Sequence, residues 1–354
     1  MIGILFKGEG ELEVTEVPAP TLGIGEVKIA TGMSGICGTD LHSFGRKGEK
    51  ALYPPANVPP GHEIAGTVVE VGEGVASLAV GDRVVGNHIV GCGHCEMCHA
   101  GTPHFCPTRQ RIGRERSGTL GQYVVVPERN VFHLRNDLSF AAGVLLACNF
   151  GTAYSALRRA SASGDNTVAV FGLGPVGLCL VIAARGLGAS VIAVEPNERR
   201  RVLAQELAEC SVLDPAATDV ATAVQEETEG RGVDVAIDAT GVEAAQNQAL
   251  DVTRPLGTMV FIGVGGDTTI SPFRQLIGKD LTVLGSYTYK LHEFAAMLAF
   301  VRRTGISLDQ LVTASFHPRE AAQAFALTIS GAPGKIVFDW SEINGSPPRG
   351  SSSQ

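Results

Sequence analysis

The sequence has little charge, few aromatic rings and no long apolar run. Of its 354 residues, 18% are charged and 6% are aromatic, whereas 44% are hydrophobic. This composition excludes an intrinsically disordered chain and indicates an ample core. Because no run of about 18 apolar residues occurs, we expect no membrane-spanning helix and no membrane partner. The first residues lack the basic, apolar and small-residue zones of a signal peptide, so we expect a cytoplasmic protein.

Basic residues are scarce as well. The chain has 28 lysines and arginines against 36 aspartates and glutamates, a formal net charge of −8, and no basic cluster that would neutralise a run of phosphates. Nucleic acid is therefore not an expected partner. The sequence contains no internal repeat, and its length fits two domains that each bury a core.

Glycine, by contrast, is abundant with 44 residues, and the pattern that it punctuates changes along the chain. Residues 1–149 contain short β segments separated by glycine and proline, which predicts a β-rich domain. Residues 150–289 contain six apolar strands alternating with helical stretches, which predicts a doubly wound parallel six-stranded sheet. Residues 290–341 are expected to return to the first domain, because their last strand needs a sheet edge. Residues 342–354 form a polar tail. The predicted fold class is α/β.

A glycine motif follows the first strand of the second domain. Gly172, Gly174 and Gly177 form G-x-G-x-x-G between the strand TVAVF and a helix that begins at Pro175 and Val176. The first glycine permits a tight turn, the second lets the backbone approach a pyrophosphate, and the third allows close helix packing. The helix N-terminus favours phosphates. The motif predicts a dinucleotide site, the alternative being an ordinary glycine-rich turn.

An acidic residue, Glu195, ends the next apolar strand. A carboxylate at this place can accept hydrogen bonds from both ribose hydroxyls of an adenosine, and it would repel a 2′-phosphate, so it favours NAD. Arg199 and Arg200 follow closely and could bind such a phosphate. NADP therefore stays open as the alternative cofactor.

Four of the eight cysteines, Cys92, Cys95, Cys98 and Cys106, are spaced C-x2-C-x2-C-x7-C. In a reducing compartment such crowding indicates metal ligation rather than disulfides. Four thiolates complete a tetrahedral shell and leave no open position, so the segment predicts a structural zinc. An iron–sulfur cluster would also use four thiolates, but the usual cluster spacing is lacking.

Three further side chains are candidate ligands of a second metal. They are Cys37 in GICGTDLH, His62 in PPGHEIAG and Cys148 in LLACNFGTAY. Singly each is a weak signal, since a buried cysteine is most often inert and a lone histidine most often belongs to the core. Together with a dinucleotide motif and a zinc segment, they indicate a catalytic metal site.

In this order the motifs C-G-T-D-x-H, G-H-E, the four-cysteine segment and G-x-G-x-x-G resemble those of the zinc-containing medium-chain dehydrogenases, the alcohol and polyol dehydrogenase family. The resemblance covers nearly the whole chain. It implies a GroES-like catalytic domain, a Rossmann domain and a homodimer or homotetramer. It also implies two zinc ions per chain, with Cys37, His62 and Cys148 holding the catalytic one; two thiolates and one imidazole suit an open zinc site.

The resemblance further implies roles around that zinc. Thr39 matches the hydroxyl that takes the proton of the alcohol, and His42 matches the histidine that passes it to solvent through the cofactor ribose. Asp40 matches the carboxylate that orients His62, and Glu63 matches the glutamate beside the metal. A hydroxyl followed by a histidine gives a proton relay that keeps the pocket dry. The alternatives are capping roles for Thr39 and Asp40 and a surface position for His42.

The implied activity is hydride transfer between NAD and a small alcohol. The low aromatic content favours a polyol, sugar, cyclitol or amino alcohol with a secondary hydroxyl over a large flat substrate. We expect specificity from loops near residues 42–57, 110–120 and 285–295, where the basic run RQRIGRERSG could contact an anionic or hydroxylated substrate or could equally be a solvated loop. The alternatives are an NADPH-dependent carbonyl reductase of the same fold and a non-enzymatic zinc-binding scaffold.

Overall fold

The computed structural model of the chain describes residues 1–45, 55 and 57–345. Most of the predicted specificity loop near residues 42–57 and the tail from residue 346 onward lie outside these residues. The N-terminal strands are β1 Ile2–Gly8, β2 Glu11–Glu16, β3 Glu26–Gly35, β4 Ile64–Val71, β5 Arg83–Gly86, β6 Ile89–Val90, β7 Gln110–Arg111, β8 Tyr123–Pro127 and β9 Val131–His133. The helices of this part are α1 Gly38–Phe44, α2 Glu96–His99, α3 Phe140–Ala147 and α4 Asn149–Arg159.

Strands and helices alternate in the rest of the chain. The strands are β10 Thr167–Phe171, β11 Ser190–Val194, β12 Ser211–Leu213, β13 Val233–Asp238, β14 Thr253–Phe261, β15 Thr282–Gly285, β16 Val312–Phe316 and β17 Lys335–Asp339. The helices are α5 Pro175–Gly186, α6 Glu198–Leu207, α7 Val220–Glu227, α8 Glu243–Val252, α9 Phe294–Thr304 and α10 Ala321–Ile329.

The strands β10 to β15 form one parallel sheet in the order β12-β11-β10-β13-β14-β15. Helices connect successive strands, and the strand order reverses between β10 and β13, so the carboxyl ends of these two strands border a crevice where ligands bind in such sheets. The prediction of a doubly wound six-stranded parallel sheet is confirmed.

A second sheet combines the N-terminal strands with the C-terminal ones, in the order β16-β17-β3-β4-β5-β9, and β8 pairs with β3 as well. The last strand lies antiparallel to β3, with Val337 opposite Gly35. The prediction of a β-rich domain beside the parallel sheet is thereby confirmed. The domain boundaries at residues 149 and 289 stay predictions.

A buried helix, α3, lies in residues 1–149, where the sequence pattern predicted short β segments, and α4 follows it directly. α3 begins after Ser139, whose hydroxyl accepts a hydrogen bond from the amide of Ala142, a regular N-cap. Every residue of α3 after Phe140 is buried. Within the described residues no single helix is long and apolar enough to cross a membrane, although the bent pair α3 and α4 reaches that length and composition when taken together.

The main hydrophobic core joins α3, α4, α5 and α9 to one face of the parallel sheet. A second cluster covers the opposite face of that sheet under α7 and α8. Leu145 and Leu146 of α3 are fully buried in the first cluster, and truncating either leucine to alanine would cost about 2 to 5 kcal/mol. This packing fixes the end of α3, where Cys148 lies.

Candidate active site

A cavity of about 680 Å³ lies beside the carboxyl ends of the parallel strands. Cys37, His62 and Cys148 line it from the β-rich side, and Val176 and Ile262 line it from the parallel sheet. Residues of two loops expected to set specificity, 110–120 and 285–295, also reach its wall. Its size and mixed lining are those of a small-molecule site.

Three chain segments bring possible metal ligands together at the inner end of the cavity. Cys37 precedes α1, His62 and Glu63 precede β4, and Cys148 lies at the bend between α3 and α4. One ligand atom from each of these four residues lies within 4.8 Å of every other. The Cys148 Sγ is 3.6 Å from the His62 Nε2. All four side chains are buried.

This donor set fits zinc. Two sulfurs and one imidazole are the ligands of an open tetrahedral zinc site, and a fourth position stays available for a substrate oxygen. Glu63 adds a buried carboxylate oxygen, Oε2, that has no hydrogen-bond partner within the described part of the chain. A buried polar atom without a partner is uncommon in proteins, and a cation close by would satisfy it.

The side chains at this site strongly shift one another's pKa values. A hydrogen bond between the Cys37 and Cys148 sulfurs lowers the pKa of Cys37 and raises that of Cys148. Burial raises the pKa of Cys148 further. Burial disfavours the charged form of His62, but the charges of Asp40 and Cys37 outweigh burial and raise its pKa. The site therefore favours a thiolate at Cys37, the form that binds metal.

Asp40 connects helix α1 to the histidine. Its Oδ2 accepts a hydrogen bond from the Cys37 amide at 2.9 Å, and its Oδ1 lies 3.4 Å from the His62 Nδ1. The capping contact and the contact with His62 are therefore made by the same carboxylate. Thr39 and His42 also line the cavity, and both are exposed.

Sequence reasoning missed Lys335, the first residue of β17. Its Nζ donates hydrogen bonds to the Glu63 Oε1 at 2.5 Å and to the Ile36 carbonyl oxygen at 2.9 Å. Both charged side chains are fully buried. Burial raises the pKa of Glu63 to about 7. Burial favours the neutral amine of Lys335, but the charge of Glu63 outweighs burial and raises its pKa.

Sequence reasoning also missed His88, which follows β5 and lines the cavity. Its ring centroid is 4.8 Å from that of His62. Burial, reinforced by the charge of His62, lowers the pKa of His88 to about 3. His88 is therefore a neutral imidazole at ordinary pH, and its Nδ1 has no hydrogen-bond partner within the described residues. No spacing pattern in the sequence marked this histidine.

The glycine turn after β10 has the shape that a pyrophosphate requires. Gly172 has a φ of +90°, and a Cβ added to Gly177 would lie 1.8 Å from the Gly172 carbonyl oxygen. A Cβ on Gly174 would meet no atom within 4 Å. Gly174 is the N-cap of α5, and Pro175 and Val176 open that helix. The backbone here leaves open space in front of a helix N-terminus, which suits an anion.

Glu195 lies against the same turn. Its Oε2 accepts a hydrogen bond from the Leu173 amide at 2.7 Å, and its Oε1 accepts one from the Asn197 amide at 3.0 Å. The Arg200 Nη1 lies 3.8 Å from the Glu195 Oε2. The structure thus brings two of the three cofactor-selecting candidates, Glu195 and Arg200, together beside the glycine turn.

The four-cysteine segment forms a separate cluster. The sulfurs of Cys92, Cys95, Cys98 and Cys106 all lie within 4.8 Å of one another, and none of these residues is among the described residues that line the cavity. The amide of Cys92 donates to the Cys106 sulfur and lowers the pKa of that thiol to about 6. Burial raises the pKa of Cys98 to about 11. A closed set of four sulfurs fits a structural zinc.

Comparison with known proteins identifies the family. The alcohol dehydrogenase GroES-like domain matches residues 23–136, and the zinc-binding dehydrogenase domain matches residues 175–303. The L-threonine 3-dehydrogenase of Chromobacterium violaceum is 30% identical over 95% of this chain and 98% of its own. The chain belongs to the zinc-containing medium-chain dehydrogenase family. The resemblance inferred from the motifs is confirmed.

Solved structures agree with this assignment. The 2R,3R-butanediol dehydrogenase of Bacillus subtilis is 31% identical, covers 96% of this chain and 99% of its own, and superimposes with a TM-score of 0.86. An alcohol dehydrogenase from Escherichia coli CFT073, 26% identical with the same coverage and TM-score, was solved with NADH. A zinc-binding dehydrogenase from Sinorhizobium meliloti 1021 was solved bound to NADP. It is 28% identical, covers 96% of this chain and 98% of its own, and superimposes with a TM-score of 0.86.

This medium-chain dehydrogenase is therefore an oxidoreductase that acts on hydroxyl groups of small molecules. The fold-class prediction, a GroES-like domain with a Rossmann domain, is confirmed by both matched domains and by the superimposed structures.

Proposed function

We propose that the chain is a zinc-dependent dehydrogenase that oxidises the secondary hydroxyl of a small polar substrate to a ketone with NAD. In balance, the alcohol loses a hydride to NAD⁺ and a proton to solvent. The observation that carries the proposal is the convergence of Cys37, His62 and Cys148 in a cavity whose other wall belongs to the dinucleotide sheet.

Each catalytic residue has a task that its position supports. When bound by these three side chains, zinc supplies Lewis acidity that lowers the pKa of a substrate hydroxyl. Asp40 orients His62 by facing its Nδ1, the nitrogen that does not face the other ligands. Thr39 takes the proton of the substrate hydroxyl. His42, exposed on the same helix, releases it to water.

Glu63 and Lys335 form a buried ion pair next to the proposed metal ligands. The lysine amine bonds both the carboxylate next to His62 and the carbonyl group before Cys37. One side chain of the last strand thus restrains two of the three ligand-bearing segments. Preorganised support of this kind keeps ligands near their working geometry.

The cofactor assignment follows from the glycine turn. We infer that the pyrophosphate lies over Gly174 at the start of α5, and that the ribose hydroxyls meet Glu195. The buried carboxylate favours NAD because a 2′-phosphate would meet like charge. Arg200, 3.8 Å from that carboxylate, supports a second candidate, an NADPH-dependent carbonyl reductase. Turnover with NAD against NADP decides between them, and a strong preference for NADP would overturn the assignment of Glu195.

We also infer a second zinc at the four-cysteine cluster and a homo-oligomer. β15 is the last strand of the parallel sheet, and its Val283 is 42% exposed. An exposed sheet edge with an apolar residue is suited to pairing with the same edge of a second copy. Size measurement by light scattering tests this: a dimer or tetramer supports it, and a monomer contradicts it.

Metal content tests the function most directly. Zinc per chain and NAD-linked oxidation of polyols, sugars and amino alcohols are measured for the wild type, Cys37→Ser and Cys98→Ser. We expect about two zinc ions in the wild type and about one in each variant, with activity lost in Cys37→Ser. Retention of full zinc and full activity by Cys37→Ser would refute the catalytic site.

A further inference from the structure

The segment between β15 and α9, residues 286–293, forms part of the cavity wall. Its first three residues, Ser286, Tyr287 and Thr288, line the cavity. The Ser286 amide donates to the carbonyl oxygen of Phe261, the last residue of β14, at 3.0 Å, so the segment starts at the carboxyl edge of the parallel sheet. Under the proposed function this edge holds the dinucleotide, and a shift of the segment would change the shape of the substrate site.

The backbone of this wall is strained at Thr288. Its φ is +51°, a left-handed conformation that a β-branched residue rarely adopts. A residue persists in such a conformation only where its surroundings hold it there. The Thr288 side chain is buried, and its hydroxyl oxygen has no hydrogen-bond partner within the described part of the chain. Because the hydroxyl makes no such contact, the neighbouring residues Tyr287 and Tyr289 must restrain it.

Both neighbours are held from outside the segment. Tyr289 is fully buried and packs against α4, where a Cβ added to Gly151 would lie 2.4 Å from the Tyr289 Cδ1. Tyr287 is half exposed, and its ring centroid lies 6.1 Å from that of His104, with 64° between the ring planes. This is an edge-to-face pair. Among the described residues no other ring contacts Tyr287.

His104 belongs to the four-cysteine segment. It lies in a 3₁₀ turn, Pro103–Phe105, that ends directly before Cys106. Its side chain is only 4% exposed, whereas His99 of the same segment is exposed. Connecting segments run over the surface, and their polar side chains are usually solvated. The burial of His104 next to Tyr287 is therefore a specific contact between this segment and the cavity wall.

A second contact joins the same two segments. Gly101 has a φ of +72°, and a Cβ added there would lie 2.8 Å from the His292 Nδ1. The four-cysteine segment thus lies against residues 286–293 at two places, near Tyr287 and near His292. The four cysteines themselves are not among the described residues that line the cavity. Any influence of their segment on a substrate therefore passes through this intervening wall.

We propose that His104 is a positioning residue for the substrate: it holds Tyr287, and through it the strained backbone of Thr288, in the conformation that the cavity requires. The four-cysteine segment thereby sets the KM for the alcohol, in addition to any part that it plays in stability. The inference rests on the proposed function, which makes this cavity the substrate site. Tyr287 contacts the substrate, and His104 acts through Tyr287 without touching the substrate itself.

Steady-state kinetics at saturating NAD test the proposal. The substrate is whichever of D-sorbitol, D-glucose and 1-amino-2-propanol the wild type oxidises fastest. In His104→Ala we expect KM to rise by about threefold to tenfold, the size of one aromatic pair, with kcat within about twofold of the wild type. His104→Phe keeps a ring at this place and should restore most of the wild-type KM.

The control is His99→Ala, which removes an exposed histidine from the same segment and should keep the wild-type KM. We expect His104→Ala to hold as much zinc per chain as the wild type, because no ligand is changed. An unchanged KM in His104→Ala would overturn the proposal. A rise in KM that comes with a loss of zinc would also overturn it, because the cluster rather than the ring contact would then be responsible.

A double variant shows whether His104 acts through Tyr287. Tyr287→Ala removes the other ring of the pair at a half-exposed position, where the fold tolerates a smaller side chain. In this background His104→Ala should raise KM no further, because the contact is already absent. Equal increases in KM in both backgrounds would refute the coupling.

Hydrogen exchange measures the wall without any substrate. Amide exchange of residues 286–293 is followed by mass spectrometry in the wild type, His104→Ala and His99→Ala. We expect exchange at least about threefold faster in His104→Ala alone. Wild-type exchange in that variant would contradict the inference, even in an enzyme that oxidises alcohols. If exchange accelerates but no compound is oxidised with NAD or NADP, the proposed function fails and the restraint of the wall by His104 stands.

Discussion

Lys335→Met removes the amine that neutralises the buried carboxylate of Glu63. The lysine also donates to the Ile36 carbonyl oxygen, and its side chain is fully buried. Methionine keeps most of the apolar stem, so the packing of β17 changes little. What changes is the charge balance, because a buried carboxylate loses its nearest cation.

The size of the effect follows from burial. Removal of one member of a buried ion pair costs about 3 to 5 kcal/mol. Because burial raises the pKa of Glu63 to about 7, the carboxyl can escape part of this cost by binding a proton, and we expect a loss of about 3 kcal/mol at about pH 8. A carboxyl group whose pKa is raised by folding stabilises the fold at low pH. This stabilisation is lost as the pH rises through the pKa of the folded state. Lys335 lowers the pKa of Glu63, so its removal raises that pKa above about 7. The penalty in Lys335→Met should therefore shrink as the pH falls toward about 7 and stay constant below it.

Urea unfolding followed by tryptophan fluorescence measures this loss. The single tryptophan, Trp340, is fully buried beside the end of β17, so it reports on the sheet that contains Lys335. Lys28→Met is the matched control, because the pair of Lys28 with Glu70 lies at the surface and should contribute at most about 1 kcal/mol.

A double variant separates charge from packing. In the background of Glu63→Gln, Lys335→Met should cost clearly less than it does in the wild type, because no buried charge is left alone. Two results would refute the reasoning: a loss below about 1 kcal/mol for Lys335→Met, or the same loss whether residue 63 is glutamate or glutamine.

Three other variants test the dinucleotide domain. Gly174→Ala should leave thermal stability unchanged, since the added Cβ meets no atom within 4 Å. It should raise the Kd for NAD, measured by calorimetry, by about tenfold, because the methyl group takes space proposed for the pyrophosphate. Unchanged NAD binding would contradict that placement. Gly177→Ala should destabilise the fold by about 1 to 3 kcal/mol in urea unfolding, because its Cβ would lie 1.8 Å from a backbone oxygen; wild-type stability would show that α5 shifts freely. Burial favours the protonated form of Asp234, but a backbone amide and Arg254 outweigh it and lower its pKa. Asp234 therefore stabilises the fold at a pH above its unfolded-state pKa, and this stabilisation is lost as the pH falls. The stabilities of the wild type and Asp234→Asn should differ at about pH 7 and converge toward about pH 2. A constant difference between them would contradict this expectation.

The centre of the parallel sheet could be predicted because strands such as β10 and β13 are buried on both faces. In β10, Val168 and Val170 pack in one apolar cluster, and Ala169 and Phe171 pack in the other. Such a strand is a short continuous apolar run, and glycines mark its ends. The sequence pattern identified the central strands for this reason, whereas β12 is partly buried and β15 is mostly exposed.

The sequence pattern did not predict helix α3, for a related reason. Its residues from Ala141 to Ala147 are all buried, so the helix has no polar face and shows no helical stripe. The one local signal was Ser139, whose N-cap contact with Ala142 marks the helix start. The predicted boundary at residue 149 consequently falls at the beginning of α4.

The candidate ligands could be named from motifs, but their supports could not. Lys335 and Glu63 are 272 positions apart, and no local pattern connects residues so distant. A lysine at the start of the buried strand KIVFD was the available signal, since lysine is almost never fully buried unless it is paired. His88 gave no signal at all, because its neighbour His62 reaches it only through the folding of β4 and β5.

The motif C-G-T-D gains its physical meaning only in the folded chain. Within α1 the aspartate is close enough to accept a hydrogen bond from the Cys37 amide, which satisfies one donor of the helix start. The same carboxylate faces the ring of His62, which arrives from another segment, and its charge contributes to the raised pKa of that histidine. A single side chain thus sets the orientation of two ligands at once. This shared contact explains why capping and orientation, which were alternatives in the sequence, are compatible in the structure.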